Sequence, residues 1–395
     1  MKYLIVLASG MADEPLAELG GRTPLAVAHK PALDELARDG KIGCVRTLPE
    51  PLPASEEVAL LCALGFRPQE FFTGEAGLAV ADSGLKVGPG QLAFMHNLTT
   101  EANSVLLDHA AGQISLKEAE VLLTSLAAAF GRPDAQFYAG RGFAGVTVLP
   151  VGENASPECD PPEAALGLPV ARHMPRGEGS ELLVRLMELS REAFLEHEIN
   201  RVRTDLGENP ANLLWLWGPG KPPQLPSFES RHGLSGAMVA ATASARGLGV
   251  LCGMRVPHVS GATGGYRTDY TAKAQCALEA IGEVDLVVVH IASPTEASLE
   301  GNVQRKISVI QDIDAMVAEP LLRYARGRDD TRMMFLCTHV ASVAQRRRLR
   351  DAAPVVMFGP GLEPLRRGAF SESAAQGGEL GVENGHDLLQ YFLTR

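Results

Sequence analysis

Residues 3–8, YLIVLA, are apolar at every position and stop at SGMAD. Successive side chains of a strand point to opposite faces, so a strand with no polar face has to be covered on both sides. Parallel sheets flanked by helices meet that requirement, and this run commits the chain to an α/β sheet. Helical spacing at 33–39 and a short β pattern at 41–47 follow, giving strand, helix, strand. The same grammar returns late, with a helix over 274–281, a buried strand over 284–291 and a long amphipathic helix over 305–324. Two further buried strands follow at 333–337 and 355–358. A parallel sheet with helices on both faces is thus split between the two ends of the chain.

The middle has its own periodicity: a strand near 92–98, a helix over 116–130 and a strand over 145–149. This reads as an inserted α+β unit. The Pro-, Gly- and Glu-rich stretch 151–179 reads as a linker before a helix over 181–197. The expected division is 1–75 and 185–395 for the larger domain and 76–184 for the insertion.

A length of 395 residues allows two cores, and 46% hydrophobic with 21% charged residues is an ordinary globular composition. The formal charge of -11 opposes binding to a phosphate backbone, so nucleic acid is not an expected partner. Six scattered cysteines show no metal-ligand spacing and read as buried reduced thiols. The first residues are too short an apolar run for a secretory signal, and no stretch reaches bilayer-spanning length. A cytoplasmic protein without a membrane partner is the expectation.

Three segments carry a resemblance: GRTPLAVAHKPALDELARDGKIGCVRTLP (21–49), NPANLLWLWGPGKPPQLPSF (209–228) and GATGGYRTDYTAKA (261–274). GMAD at 10–13, HEIN at 197–200, VVHI at 288–291 and KISVIQDID at 306–314 support it. Together, in this order, they resemble the archaeal-type 2,3-bisphosphoglycerate-independent phosphoglycerate mutases, a branch of the alkaline phosphatase superfamily. The resemblance implies an alkaline-phosphatase-like domain interrupted by a smaller one, with the site in the cleft between them. It also implies a serine that takes the phosphoryl group of 3-phosphoglycerate and returns it to the neighbouring oxygen. Two divalent ions (manganese, zinc or magnesium) on aspartates and histidines would assist by neutralising the phosphate and activating the hydroxyl.

Set against the family's motifs, this chain has different residues at most ligand positions. Ser9 of ASGMAD stands where the family has a metal-binding aspartate. In PASEEVAL, Glu56 falls at the nucleophile position with Ser55 one residue early; a one-residue gap would restore Ser55 as nucleophile. In TEASL, Thr295 takes the place of an aspartate and Leu299 that of a histidine. In CTH, Thr338 replaces aspartate and His339 alone remains, while the final histidine falls near Arg348, which cannot ligate a cation. Of the phosphate-holding groups, Glu75 and Met95 stand at arginine positions, and Ala144 and Gly145 replace an arginine and a histidine.

Other residues leave two readings open. His339 is a relic or single-metal ligand, or a hydrogen-bonded structural residue. Asp13 sits at the cleft mouth or caps a loop. Asn212, Trp215, Trp217 and Lys221 line a ligand cleft, with Asn212 and Lys221 touching substrate, or the tryptophans are core packing. Arg346, Arg347, Arg348 and Arg350 form an anion site or partner patch, or a solvated helix face. The leading expectation is a mutase-like protein that binds or scaffolds without catalysis and without a metal cofactor, its partner an active paralogue or a small phosphorylated metabolite. The alternative is an active mutase or related phosphotransferase using Ser55 and non-standard ligands.

Overall fold

The computed structural model describes residues 1–140, 142–364, 368–378 and 380–394. In chain order the strands are β1 (Lys2–Ala8), β2 (Lys41–Val45), β3 (Leu92–Ala102), β4 (Val105–Asp108), β5 (Gln136–Tyr138), β6 (Ala144–Leu149), β7 (Leu213–Gly220), β8 (Gly236–Val239), β9 (Leu286–Ile291), β10 (Thr331–Cys337), β11 (Val340–Ser342), β12 (Arg347–Leu349) and β13 (Ala353–Phe358). The chain divides into two compact units, Met1–Phe72 with Gln224–Arg395, and Thr73–Pro223.

The larger unit holds a six-stranded sheet in the order β2-β13-β10-β1-β9-β8. The apolar run that opens the sequence is central, parallel to β10 on one side and β9 on the other. Leu4 through Ala8 are fully buried, as a strand without a polar face requires. The all-parallel expectation needs one correction, because β13 runs antiparallel to both β10 and β2. The hairpin of β11 and β12 follows β10 directly, and only residues 350–352 separate β12 from β13. Residues 338–352 between β10 and β13 are mostly taken up by this hairpin and form no crossover across the sheet, so the chain re-enters from the end it has just left.

The long helix foreseen over 305–324 is also modified. It is built from Val303–Ile313, a π turn at Asp314–Ala318, and Glu319–Arg326. Pro320, in the first turn of the last segment, has no N–H to give to the preceding turn, which accounts for the change of pitch. Asp314 in the π turn accepts from Ala32 N (3.2 Å) and Leu33 N (2.7 Å). It thereby satisfies orphan amides of the helix Pro31–Asp39, whose own N-cap residue supplies no side-chain bond.

In the smaller unit β3 is the hub, antiparallel to β4, β6 and β7. The helices Leu116–Phe130 and Ser180–Leu195 bury Leu122, Leu126, Leu183, Leu186 and Phe194 with Phe94 and Trp215. Residues 185–223, given to the larger domain from sequence, therefore belong here: β7 completes this sheet, and Leu214 N donates to Ser190 Oγ (2.8 Å). The stretch 151–179 is more than a linker, since Leu166 and Pro169 bridge to β4 and Glu158 bridges to Arg176. No helix among the described residues is long and apolar enough to cross a membrane. Cys62, Cys252 and Cys337 are buried free thiols; Cys44, Cys159 and Cys276 are only partly covered.

Candidate functional site

The carboxyl ends of parallel strands leave the sheet through loops whose side chains converge above it, the usual position for a site in an open α/β sheet. In the larger unit β1, β9 and β10 end at Ser9, His290–Ile291 and Thr338–His339. Gly10 turns the chain at φ +68, and a Cβ there would stand 2.4 Å from Thr295 Oγ1, so only glycine lets this loop close on the helix Ser293–Leu299. Ser9, His290, Thr295, Thr338 and His339 are all nearly or wholly buried.

These groups form one connected network. Thr338 Oγ1 donates to Ser9 Oγ (3.1 Å), and Ser9 Oγ lies 3.0 Å from His290 Nε2. His339 Nδ1 lies 3.0 Å from Thr338 Oγ1, and its Nε2 lies 3.4 Å from Thr295 Oγ1. His290 Nδ1 lies 3.4 Å from Thr242 Oγ1, which donates to Glu56 Oε1 (3.1 Å). One set of protons satisfies every link: both imidazoles carry hydrogen on Nδ1, Thr295 gives to His339, and Ser9 gives to His290. Burial favours those neutral rings. It pulls His290 down to about 3, and it holds His339 well below the usual histidine range, with Arg348 acting in the same direction.

The carboxyl groups follow the same logic. Burial raises Glu56, against Arg348, the Thr242 bond and Lys273, which lower it. Glu57 is raised by burial and by Glu56, and its Oε1 accepts from Ser244 Oγ (2.6 Å). Lys273 Nζ donates to the backbone oxygens of His290 (3.3 Å) and Thr263 (3.3 Å), joining the end of β9 to the glycine-rich loop that continues through Tyr266. Tyr266 N in turn donates to Glu296 Oε2 (2.7 Å). A Cβ on Gly264 would stand 3.1 Å from Thr242 Cγ2, so the loop backbone lies against the network.

The donor chemistry does not suit two divalent ions. Ser9, Thr295 and Thr338 offer neutral hydroxyls, and in the proton assignment above the imidazole lone pairs are already used. Leu299, half-buried at the end of its helix, offers an alkyl group. Among the described residues no group of three or more His, Cys, Asp or Glu is placed to hold a metal ion. Without several carboxylates, the mutual repulsion of two cations has little to offset it.

Residues 37–200 match the family described as 2,3-bisphosphoglycerate-independent phosphoglycerate mutase. A protein of that name from Methanothrix thermoacetophila is 38% identical over 395 residues, all of both chains. The chain belongs to this family. A "probable" member from Geobacter sulfurreducens is 36% identical, also over the whole of both chains. Among solved structures, a protein from Pyrococcus horikoshii superposes with a TM-score of 0.80 at 25% identity, covering 99% of this chain and 96% of its own. The cofactor-independent phosphoglycerate mutase of Thermoplasma acidophilum gives 0.58 at 25% identity, covering 100% and 99%. The fold is that of the family.

Of the residues singled out from sequence, Ser9, Glu56, Thr295, Thr338 and His339 come together, while Leu299 ends the helix that carries Thr295 and Arg348 lies on β12 opposite Ala341. Ser55 does not join the hydrogen-bonded chain: its Oγ caps the helix Glu56–Ala63 by accepting from Val58 N (3.4 Å), while Glu56 turns to Thr242. Of the two readings of Asp13, the cleft-mouth substrate contact gives way to the structural one: Lys306 Nζ reaches its Oδ2 (2.8 Å) with neither side chain exposed, and its Oδ1 accepts from the loop amide Glu14 N (2.8 Å). Asn212 exchanges two bonds with the Glu101 backbone (2.7 and 2.8 Å), fastening β7 to β3. Lys221 is exposed at the end of β7 in the smaller unit. Trp215 is fully buried, and the Nε1 atoms of Trp215 and Trp217 donate to Asp160 O and Asn97 Oδ1, which makes both tryptophans packing residues. Arg347 and Arg348 sit on a β-hairpin rather than a helix face, and Arg350 donates to Leu48 O and Pro49 O. Sequence reasoning gave no role to His290, Thr242 or Lys273; the one polar residue in LVVVHI was the available signal for the first.

Proposed function

We propose that this member of the phosphoglycerate mutase family does not isomerise 3-phosphoglycerate and instead binds a small phosphorylated metabolite, with a hydrogen-bonded, metal-free cluster at its core. One observation carries the reading: the chain His339–Thr338–Ser9–His290–Thr242–Glu56 is complete in itself, with each hydroxyl and ring nitrogen committed to a neighbour. A hydroxyl in such a chain is neither deprotonated nor aimed at a substrate, and the nearest alternative nucleophile, Ser55, serves as a helix cap. A protein of this kind would report or buffer the metabolite, alone or beside an active relative.

A second reading is favoured by the comparisons: proteins 36–38% identical over the full length are named as mutases or probable mutases. In that case Ser55 would leave its cap and attack the phosphoryl group, and manganese, zinc or magnesium would supply charge neutralisation. The test is the metal content of the purified protein after incubation with manganese and zinc, run with an enolase-coupled assay on 3-phosphoglycerate. Substoichiometric metal and no turnover are expected. Stoichiometric metal with turnover that disappears in Ser55→Ala would overturn the proposal.

A further inference from the structure

Of the eight asparagines in the chain, only Asn384 precedes a glycine. The pair sits away from the strand-end network, in a strap that closes the edge of the larger sheet beyond β2. Arg46, just past β2, donates its N–H to Glu383 O (2.9 Å), and Gly385 N–H donates to Arg46 O (2.7 Å). A Cβ on Gly385 would stand 2.8 Å from Thr47 Cγ2 and 2.9 Å from both Arg46 O and Cys62 Sγ, so this close approach requires glycine. The helix Gly385–Thr394 begins here, and its far end is tied to the sheet: Arg332 Nη1 donates to Phe392 O (2.9 Å) and Tyr3 Oη to Leu393 O (3.2 Å). The Asn384 side chain is exposed and makes no hydrogen bond among the described residues. It borders an open cavity of about 660 Å³ lined also by Cys44, Leu380 and Glu383. Its carboxamide thus has room to fold back on the main chain, toward an amide with no side chain to shield it.

We infer that Asn384 is a site of spontaneous deamidation, gated by the hold of Arg46 on the Gly385 amide. Asparagine is among the chemically labile residues, and the next main-chain nitrogen is the nucleophile. Gly385 N bonds to Asn384 Cγ, the bond from Cγ to the side-chain nitrogen breaks, and that nitrogen leaves as ammonia with the amide proton. A succinimide ring remains. Water then adds to one of its two carbonyls and opens the ring to aspartate or isoaspartate, so water is the only co-reactant. In the closed strap Gly385 N–H is committed to Arg46 O, which keeps the nitrogen protonated and turned from Cγ. The reaction therefore runs through states in which residues 383–385 have left Arg46. Isoaspartate adds a methylene to the main chain, so Glu383 O and Gly385 N can no longer both meet Arg46, and a transient opening becomes permanent. Either product adds a negative charge between Glu383 and Asp387.

The test ages the full chain at mildly alkaline pH over weeks, with peptide mass mapping and an isoaspartyl methyltransferase assay, beside a synthetic peptide of residues 378–390. Conversion at Asn384 ahead of the other asparagines, about tenfold or more slower in the folded protein than in the peptide, is expected. Gly43→Ala places a Cβ 2.5 Å from Leu380 Cβ and pushes the strap off β2, so it should speed conversion about threefold or more. If Gly43→Ala does not fold, urea below the unfolding transition of the parent protein should raise the rate in the same way. Isoaspartyl protein should also exchange the amides of residues 385–394 faster than fresh protein. No product at Asn384, or earlier conversion of another asparagine, overturns the site. A folded-state rate equal to that of the peptide, or one unmoved by both Gly43→Ala and urea, overturns the gate, and unchanged amide exchange overturns the permanent opening.

Discussion

Lys306→Met tests the buried ion pair that displaced Asp13 from the site. The Lys306 ammonium is fully buried and gives all three of its protons to one region: Asp13 Oδ2 at 2.8 Å, Ala12 O at 3.0 Å and Ala341 O at 2.7 Å. Burial lowers its proton affinity and Asp13 opposes that, as expected of a charge retained for its partner. Methionine fills a similar volume, so the loss is electrostatic: Asp13 keeps the amides of Glu14 (2.8 Å) and Val343 (3.3 Å) but has no counter-ion, and two buried carbonyls lose their donor. Removing one partner of a buried pair costs about 3–5 kcal/mol. At roughly 2–4 °C per kcal/mol for a unit of this size, the melting temperature should fall by about 6–20 °C. Urea denaturation followed by circular dichroism reads the change directly, with Asp13→Leu and the double variant completing the cycle. Methionine and leucine together remove both charges, so the double variant should recover part of the loss. A loss under about 1 kcal/mol in Lys306→Met, or strict additivity of the two single variants, would refute the reasoning.

Three more expectations can be checked on the same protein. His96 is buried in the smaller unit with Nδ1 2.8 Å from Thr147 Oγ1, and burial lowers it from 6.5 to about 3. The unfolded chain then binds the extra proton between those values, so stability is whole above pH 6.5 and falls on acidification by about 1.4 kcal/mol per pH unit; His96→Leu should flatten that slope in acid unfolding curves. Gly10→Ala should cost about 2 kcal/mol or more in urea denaturation, since φ +68 strains an alanine and its Cβ would push Thr295 off His339; a change below about 0.5 kcal/mol would show the turn to be loose. Ser55→Ala should cost about 1 kcal/mol through the lost cap, visible as a melting shift of a few degrees.

The sheet was legible because an apolar run such as 3–8 or 284–291 has few physical homes. The reversal of β13 was not, since the direction of a strand is set by what the connection before it builds, here a hairpin in place of a crossover, and leaves no trace in its own residues. The π turn could have been anticipated from Pro320, which sits inside an otherwise regular amphipathic pattern. At the candidate site, the residues at the strand ends were identified, but their partners were not. Thr242 and Lys273 are ordinary in sequence and acquire meaning only because β8 and the helix Tyr270–Ala280 bring them to His290. The choice between the two readings of Asp13 was closed to the sequence for the same reason: its counter-ion lies 293 positions away.

The place of β1 in the sheet bears on how the protein is made. Its neighbours β9 and β10 are synthesised about 280 residues or more after it, so the first strand emerges from the ribosome with nothing to pair with. At about 5–20 residues per second it waits roughly 15–60 s, apolar on both faces. The smaller unit, contiguous from Thr73 to Pro223, can complete its own sheet during that interval. A nascent chain of this protein should therefore need a chaperone over its first strand early, and chains stalled only after Pro223 has cleared the ribosome should already contain a folded, protease-resistant middle.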